Sequence, residues 1–367
     1  MKEQKVRITS IDALRAVVLF GILLVHTRDL FGFFNPNNTF SYFTSLDNLL
    51  SRGIEVLLSG RCNIIFSVLF GVSFHLILKN TNYSSQKFVW RCVLLLMLGL
   101  LMKLLYTYDA LMWYGLMGII LVFFRKARLR VLFLSLCVIV SLSLYLAHFS
   151  LGDVLFGVGG GLDRYTSPTT LSQIIHYPLI SSVVDYLRIV LNGGAFKTLA
   201  YFLVGYLLAK SGVVDNLPKY SNMKNVLILC LLYVMFFALS HFTDAFQYVY
   251  HFFANLSGGL FYAILFIYLY NRYAGKISFT WLESYGKLGL TNYCVQNVCG
   301  VVLMSTIFVP FQVSFIAILC CSIVFYIIQV IFSVFWLRYY KFGPLEWLWR
   351  CFTNKEIISN RRSEVIS

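Results

Sequence analysis

Residues Ile8 to Phe34 read ITSIDALRAVVLFGILLVHTRDLFGFF. The run is long and apolar enough to cross a bilayer as a helix, yet Asp12, Arg15 and His26 are set into it. Arg15 and His26 are eleven positions apart. At 100° per residue this spacing returns to nearly the same face, roughly 16 Å further along the axis. Asp12, Arg15, Leu19, Ile22 and His26 therefore form one stripe. Ionisable side chains are costly in hydrocarbon, so such a stripe is expected to face protein or an aqueous cavity. A plainer reading anchors Arg15 at the cytoplasmic interface with Asp12 as its partner, and places His26 among the outer headgroups. The residues alone leave both readings open.

The rest of the chain resembles this stretch in character. Of 367 residues, 59% are hydrophobic, 17% aromatic and 12% charged, and the mean hydropathy is +0.77. A soluble domain carries about twice that charged fraction. The class is all-α: a polytopic membrane bundle, with residues 1–352 as one integral domain and 353–367 as a basic polar tail read as disordered. The first segment lacks a small-residue cleavage site and reads as a retained helix rather than a signal peptide. The net charge of +15 sits mainly in short loops, so it reports orientation rather than nucleic-acid binding, which is excluded as a partner. The nine cysteines show neither CxxC nor mixed Cys/His metal spacing, so no disulfide and no metal site is expected.

Ten spanning helices are predicted: Ile11–Phe33, Ile54–Leu78, Phe88–Leu105, Ala110–Phe124, Leu129–Phe149, Ala195–Ala209, Asn225–Ser240, Phe252–Tyr270, Lys287–Phe308 and Val313–Tyr339. Lys and Arg gather before the first of these and after the second, fourth, sixth, eighth and tenth. The intervening loops carry Asp29, Asp47, Asp109, Asp153, Asp163, Asp185 and Asp244 instead. This alternation puts both termini in the cytoplasm. Arg15 then lies near the inner face and His26 in the outer third. The largest outer loop, Ser150 to Gly194, opens on the turn Gly157–Gly161, which lacks phosphate-loop spacing. Leu179 to Leu191 reads as a short helix on the outer surface.

Other polar residues interrupt the apolar runs. Arg61 and Asn63 lie in the outer part of the second helix, Lys103 at the end of the third, and Gln329 deep in the tenth. His148, His241 and His251 sit at outer helix ends, and Trp113 and Tyr114 read as an aromatic belt. Thr291, Asn292, Gln296 and Asn297 lie in the ninth, with Asn292 and Gln296 sharing a face. Taken singly, these residues read as interface anchors or interhelical glue. Together they outline a polar path through the bundle.

Two resemblances bear on function. Gly286 to Gln296, GKLGLTNYCVQ, and Phe342 to Arg350, FGPLEWLWR, resemble two ordered motifs of the YeiB-like family of bacterial membrane proteins, a domain of unknown function. That signature falls within residues 195–352. Gly60-Arg61 followed by Phe66 to Gly71, and the stretch Arg91 to Gly118 with Asp109, resemble its N-terminal half. The first helix is similar to that of the transmembrane acyltransferase superfamily, which includes the acyltransferase-three proteins and heparan glucosaminide acetyltransferase. Arg15, ten intervening residues and His26 match its R-x10-H spacing. This chain has Ala16 where the superfamily has Gly, His26 where YeiB-like proteins often have Asn, and Met102 where they have His.

The resemblance implies a bacterial inner-membrane acyltransferase. It would move an acyl group, typically acetyl, from cytoplasmic acyl-CoA, the co-substrate, to a saccharide or lipid-linked glycan of the envelope. His26 would be the general base, with Arg61 stabilising the oxyanion or orienting the acceptor. Arg15 would bind donor phosphate or hold Asp12, and Asn292 and Gln296 would line the donor path. The lipid bilayer is the surrounding partner, and a homodimer is allowed. A transporter or flippase accounts for a polar path equally well. A non-catalytic membrane component of envelope synthesis is a third reading.

Overall fold

The structure is a computed structural model and describes residues 8–34, 44–79, 83–103, 110–156, 187–242, 246–308 and 310–362. These residues are helical throughout their main elements. They are α1 (Thr9–Phe34), α2 (Ser45–Leu57), α3 (Arg61–Leu78), α4 (Ser85–Lys103), α5 (Leu111–Leu121), α6 (Leu129–Phe149) and α7 (Gly194–Lys210). After these come α8 (Met223–Phe242), α9 (Gln247–Tyr273), α10 (Thr280–Lys287), α11 (Gly289–Leu303), α12 (Phe315–Tyr339) and α13 (Pro344–Asn354). Seven helical segments of the described residues are long and apolar enough to cross a membrane. Helices are the economical solution there, because their backbone groups pair within the segment. Each of the ten predicted segments contains helix among its described residues. The three beyond the seven are shorter: α5 with its 3-10 extension to Phe124, α7 with 17 residues and α11 with 15.

Helix α1 is the hub. Ala13 and Ala16 are fully buried, and α1 packs against α3, α9, α10, α11 and α12. Gly286 at the end of α10 lies against the backbone carbonyl of Asp12, where a Cβ would collide. Close approach through small residues is how helices gain contact in lipid, where no hydrophobic drive joins them. The same device locks α3 to α7, with Gly71 against the carbonyl of Phe202 and Gly205 against that of Val68. Helices α6 and α8 sit outside this core and expose Phe133, Leu134, Leu231 and Val234. Such faces belong against lipid, and the chain is a helical membrane protein.

The structure departs from the sequence expectations in three places. The second predicted helix is two: the chain turns at Gly60 (φ +80°) between α2 and α3, so Arg61 begins a helix rather than lying two turns inside one. Helix α2 starts earlier, at a capping box of Thr44 and Asp47, and Asp47 also accepts from Ile316 N–H at the start of α12 (3.0 Å). Within the tail, residues 353–362 are held in place: Lys341 N–H donates to Asn360 O (2.8 Å) and Trp347 Nε1 to Ile358 O (2.6 Å). The turn Gly157–Gly161 and the predicted surface helix up to residue 186 lie outside the described residues, as do Asp109, Asp163, Asp185 and Asp244. Residues 187–191 are helical, and Arg188 Nε lies 3.4 Å from Asp153 Oδ1.

Candidate functional site

Arg15, Leu19, Ile22 and His26 together line a cavity of about 310 Å³. The stripe read from the first helix is thus one wall of this cavity. Asp12 is the exception: it is 1% exposed and sits behind Arg15, holding its Nη1 at 2.9 Å. Arg15 Nη2 donates to Ser73 Oγ on α3 (3.0 Å). The guanidinium is thereby fixed by one carboxylate and one hydroxyl while its side chain stays 30% exposed. A planar fork held in this way keeps an oriented positive charge at the cavity edge.

Three more cations line the same cavity: Arg91 of α4, Lys287 of α10 and Arg350 of α13. They lie at the Arg15 end. Gly286, next to Lys287, rests on Asp12, and Trp90 Nε1, next to Arg91, donates to Phe352 O at the end of α13 (3.0 Å). Helix α13 is amphipathic, and its Glu346, Trp349 and Arg350 complete this end. Glu346 is also tied to the start of α11. Its carboxylate accepts from Leu290 N–H (2.7 Å), Thr291 N–H (3.0 Å) and Thr291 Oγ1 (2.5 Å) at the start of α11. Burial raises its pKa, while these donors pull the other way.

At the far end, His26 Nδ1 pairs with Asn297 Oδ1 at 2.9 Å, and its ring meets Tyr293 edge-on at 5.9 Å. An amide oxygen can only accept, so Nδ1 carries the hydrogen and Nε2 is the basic nitrogen. Asn63 and Tyr114 line the cavity too. Tyr114 is buried, its hydroxyl 2.8 Å from Ser67 Oγ and 3.2 Å from Asn63 O, so it is a cavity wall rather than a member of an outer aromatic belt. The arrangement is a cavity with cations at one end, apolar walls, and an oriented imidazole at the other.

Two expectations fall elsewhere. Asn292 and Gln296 are on the opposite side of α11, in a buried network with α10 and α12. Asn292 Nδ2 donates to Ser333 Oγ (3.1 Å), Gln296 Nε2 to Tyr285 Oη (2.6 Å) and Gln329 Oε1 (3.0 Å), and Gln329 Nε2 to Asn292 O (3.2 Å). Their shared face binds helices together and does not line the cavity. Arg61 is also away from it. Its Nη1 donates to Ser59 O (2.9 Å), and its guanidinium lies 5.5 Å from the Tyr233 ring centre.

Sequence reasoning missed Arg91, Lys287 and Arg350 as a group. Arg91 and Lys287 fall at the starts of predicted spans and Arg350 beyond the tenth, and only the packing of α4, α10, α11 and α13 around one cavity brings them together. Asn297 was visible as a polar residue beside Gln296, but its contact to His26 spans 271 positions.

Residues 199–356 match a family model described as "Protein of unknown function (DUF418)". Over 95% of this chain and 94% of its own length, an uncharacterized 39.9 kDa protein encoded in an amylase 3' region of Bacillus acidopullulyticus is 27% identical. The uncharacterized protein YxaH of Bacillus subtilis is 24% identical over the same shares. The uncharacterized protein YeiB of Escherichia coli is 35% identical over 68 residues, 18% of each chain. No solved structure matches.

Proposed function

From a chain whose residues 199–356 carry the signature of the YeiB-like DUF418 family, we propose a membrane acyltransferase that takes its acyl group from acyl-CoA. The observation that carries this reading is the single cavity joining Arg15, Arg91, Lys287 and Arg350 to His26. Acyl-CoA is anionic at its nucleotide end and neutral along its arm. Fixed guanidinium groups suit the phosphates, and walls such as Leu19, Phe66 and Leu95 suit the arm. The thioester then reaches His26.

In the proposed reaction, His26 Nε2 takes the proton of an acceptor hydroxyl or amine as that atom attacks the thioester carbonyl. Asn297 holds the tautomer that makes this possible. Asn63 donates to the developing oxyanion. The C–S bond breaks, and the imidazolium returns its proton to the leaving thiolate. The acceptor is a saccharide or lipid-linked glycan of the envelope. The full topology has ten spans in a bacterial inner membrane, with both termini and the Arg15 end cytoplasmic. Arg61, Asn292 and Gln296 have no part in this step.

The test is release of free CoA thiol from acetyl-CoA by purified protein, with and without a cell-envelope glycan fraction. Release that depends on His26 supports the reading. Absence of both release and acyl-CoA binding leaves the cavity to a transporter or flippase.

A further inference from the structure

Four basic side chains from four helices gather at the end of the bundle where α3, α7 and α9 begin and α8 finishes. Arg61 opens α3, Lys197 lies in the first turn of α7, His241 closes α8 and His251 lies in the first turns of α9. The His241 and His251 rings are 6.1 Å apart, and Tyr201, one turn beyond Lys197, stacks on Phe252, the neighbour of His251, at 5.4 Å. Asn255, one turn beyond His251, places its amide against Gly60, the residue whose positive φ launches Arg61. Arg61 is only 7% exposed, and its Nε is buried without an acceptor. Its partners are Ser59 O, the Tyr233 hydroxyl (3.4 Å) and the rings of Tyr233 and Phe237, and no carboxylate pairs with it among the described residues.

A buried guanidinium without a counter-ion is costly, and a second cation beside it makes the deficit larger. An anion offered to this cluster would meet the unpartnered Nε–H of Arg61 beside further cationic side chains. We propose that Arg61, Lys197, His251 and Asn255 bind a phosphate group, in a site separate from the cavity of α1 and independent of acyl transfer. Phosphate fits because a guanidinium, an ammonium and an amide offer several donors to one tetrahedral anion. Its source is either a lipid headgroup or a soluble phosphate.

Purified full-length protein in maltoside micelles, which carry no phosphate, separates these sources. Its melting temperature is followed during titration with inorganic phosphate against matched chloride, and in parallel with phosphatidylglycerol added to the micelles. A rise in either arm is expected, since a ligand that binds the folded state stabilises it. Response to phosphate alone assigns a soluble group, and response to phosphatidylglycerol alone a headgroup. Lys197→Gln is expected to weaken the response about tenfold, the worth of one charge-assisted hydrogen bond, whereas Lys197→Arg retains it. Asn255→Asp brings a carboxylate to the cluster. It is expected to raise the basal melting temperature and abolish the response, an outcome that misfolding cannot mimic. No response in either arm, or a wild-type response in Lys197→Gln or Asn255→Asp, overturns the proposal.

Discussion

Glu346 and Thr291 join the two C-terminal motifs of this chain through a reciprocal contact. Glu346 Oε2 accepts from Thr291 Oγ1 (2.5 Å), and Thr291 Oγ1 accepts from Leu345 N–H (3.1 Å). The carboxylate also takes two backbone N–H groups from the first turn of α11, which has no side-chain cap of its own. An anion at a helix N-terminus is favoured by the orphan donors and the helix dipole. The contact holds α13, and with it Trp349 and Arg350, at the cavity.

Glu346→Ala is therefore expected to cost about 2 kcal/mol of stability, the middle of the range for hydrogen bonds to a charged group. Glu346→Gln should cost less, because its amide oxygen still accepts. The pH dependence has a definite sign. Burial raises the Glu346 pKa in the folded state, so its contribution to stability is full below the ordinary carboxylate range and declines as pH rises through the folded value. Detergent melting of wild type minus Glu346→Gln, followed from acid to neutral pH, should fall. A flat difference would show that the carboxylate is not perturbed.

Arg15 and Asp12 make a second test. Asp12 is buried and Arg15 partly exposed, so Arg15→Ala takes a charged partner away from a buried carboxylate. The expected loss is about 3 kcal/mol, the low end for breaking a buried pair. Asp12→Asn combined with Arg15→Ala should recover most of it. Acyl-CoA affinity should drop about tenfold in that double variant, the worth of one charge-assisted contact, and stay near wild type in Arg15→Lys. Unchanged affinity in the folded double variant removes Arg15 from the donor site.

Local sequence carried much of this arrangement. The all-helical class follows from apolar run length, and the 3.6-residue period alone placed Arg15, Leu19, Ile22 and His26 on one face. That face is the cavity wall. Breaks were harder to read. The turn at Gly60 interrupts a run that hydropathy treats as continuous, and only its positive φ, set beside Asn255, separates α2 from α3. Polar identity also failed to separate glue from cavity lining. Asn292 and Asn297 are chemically alike and five positions apart on α11, yet one bonds Ser333 and the other His26. Which side of α11 faces α12 is a tertiary fact that no local period reports.

Orientation can be checked by labelling. Val154 and Ser359 are both exposed, at opposite ends of the proposed topology. In a background without native cysteines, Val154→Cys should react with an impermeant thiol reagent in intact cells and Ser359→Cys should react only after lysis. The reverse pattern inverts the topology and moves the cation end of the cavity outside.

His26 carries the chemical proposal. A general base contributes typically 10²–10⁴-fold, so His26→Ala is expected to lower transfer at least about a hundredfold. Stability is not expected to be untouched, because the ring is tied to Asn297 Oδ1 at 2.9 Å. Losing that partner should cost about 1 kcal/mol. His26→Asn offers an amide N–H in place of Nδ1–H and should keep most of that stability, yet it has no basic nitrogen. The pair separates packing from proton transfer: Ala loses both and Asn loses only the base. Near-normal turnover in a well-folded His26→Asn protein would exclude His26 as the base, and the cavity would then have to act by binding alone.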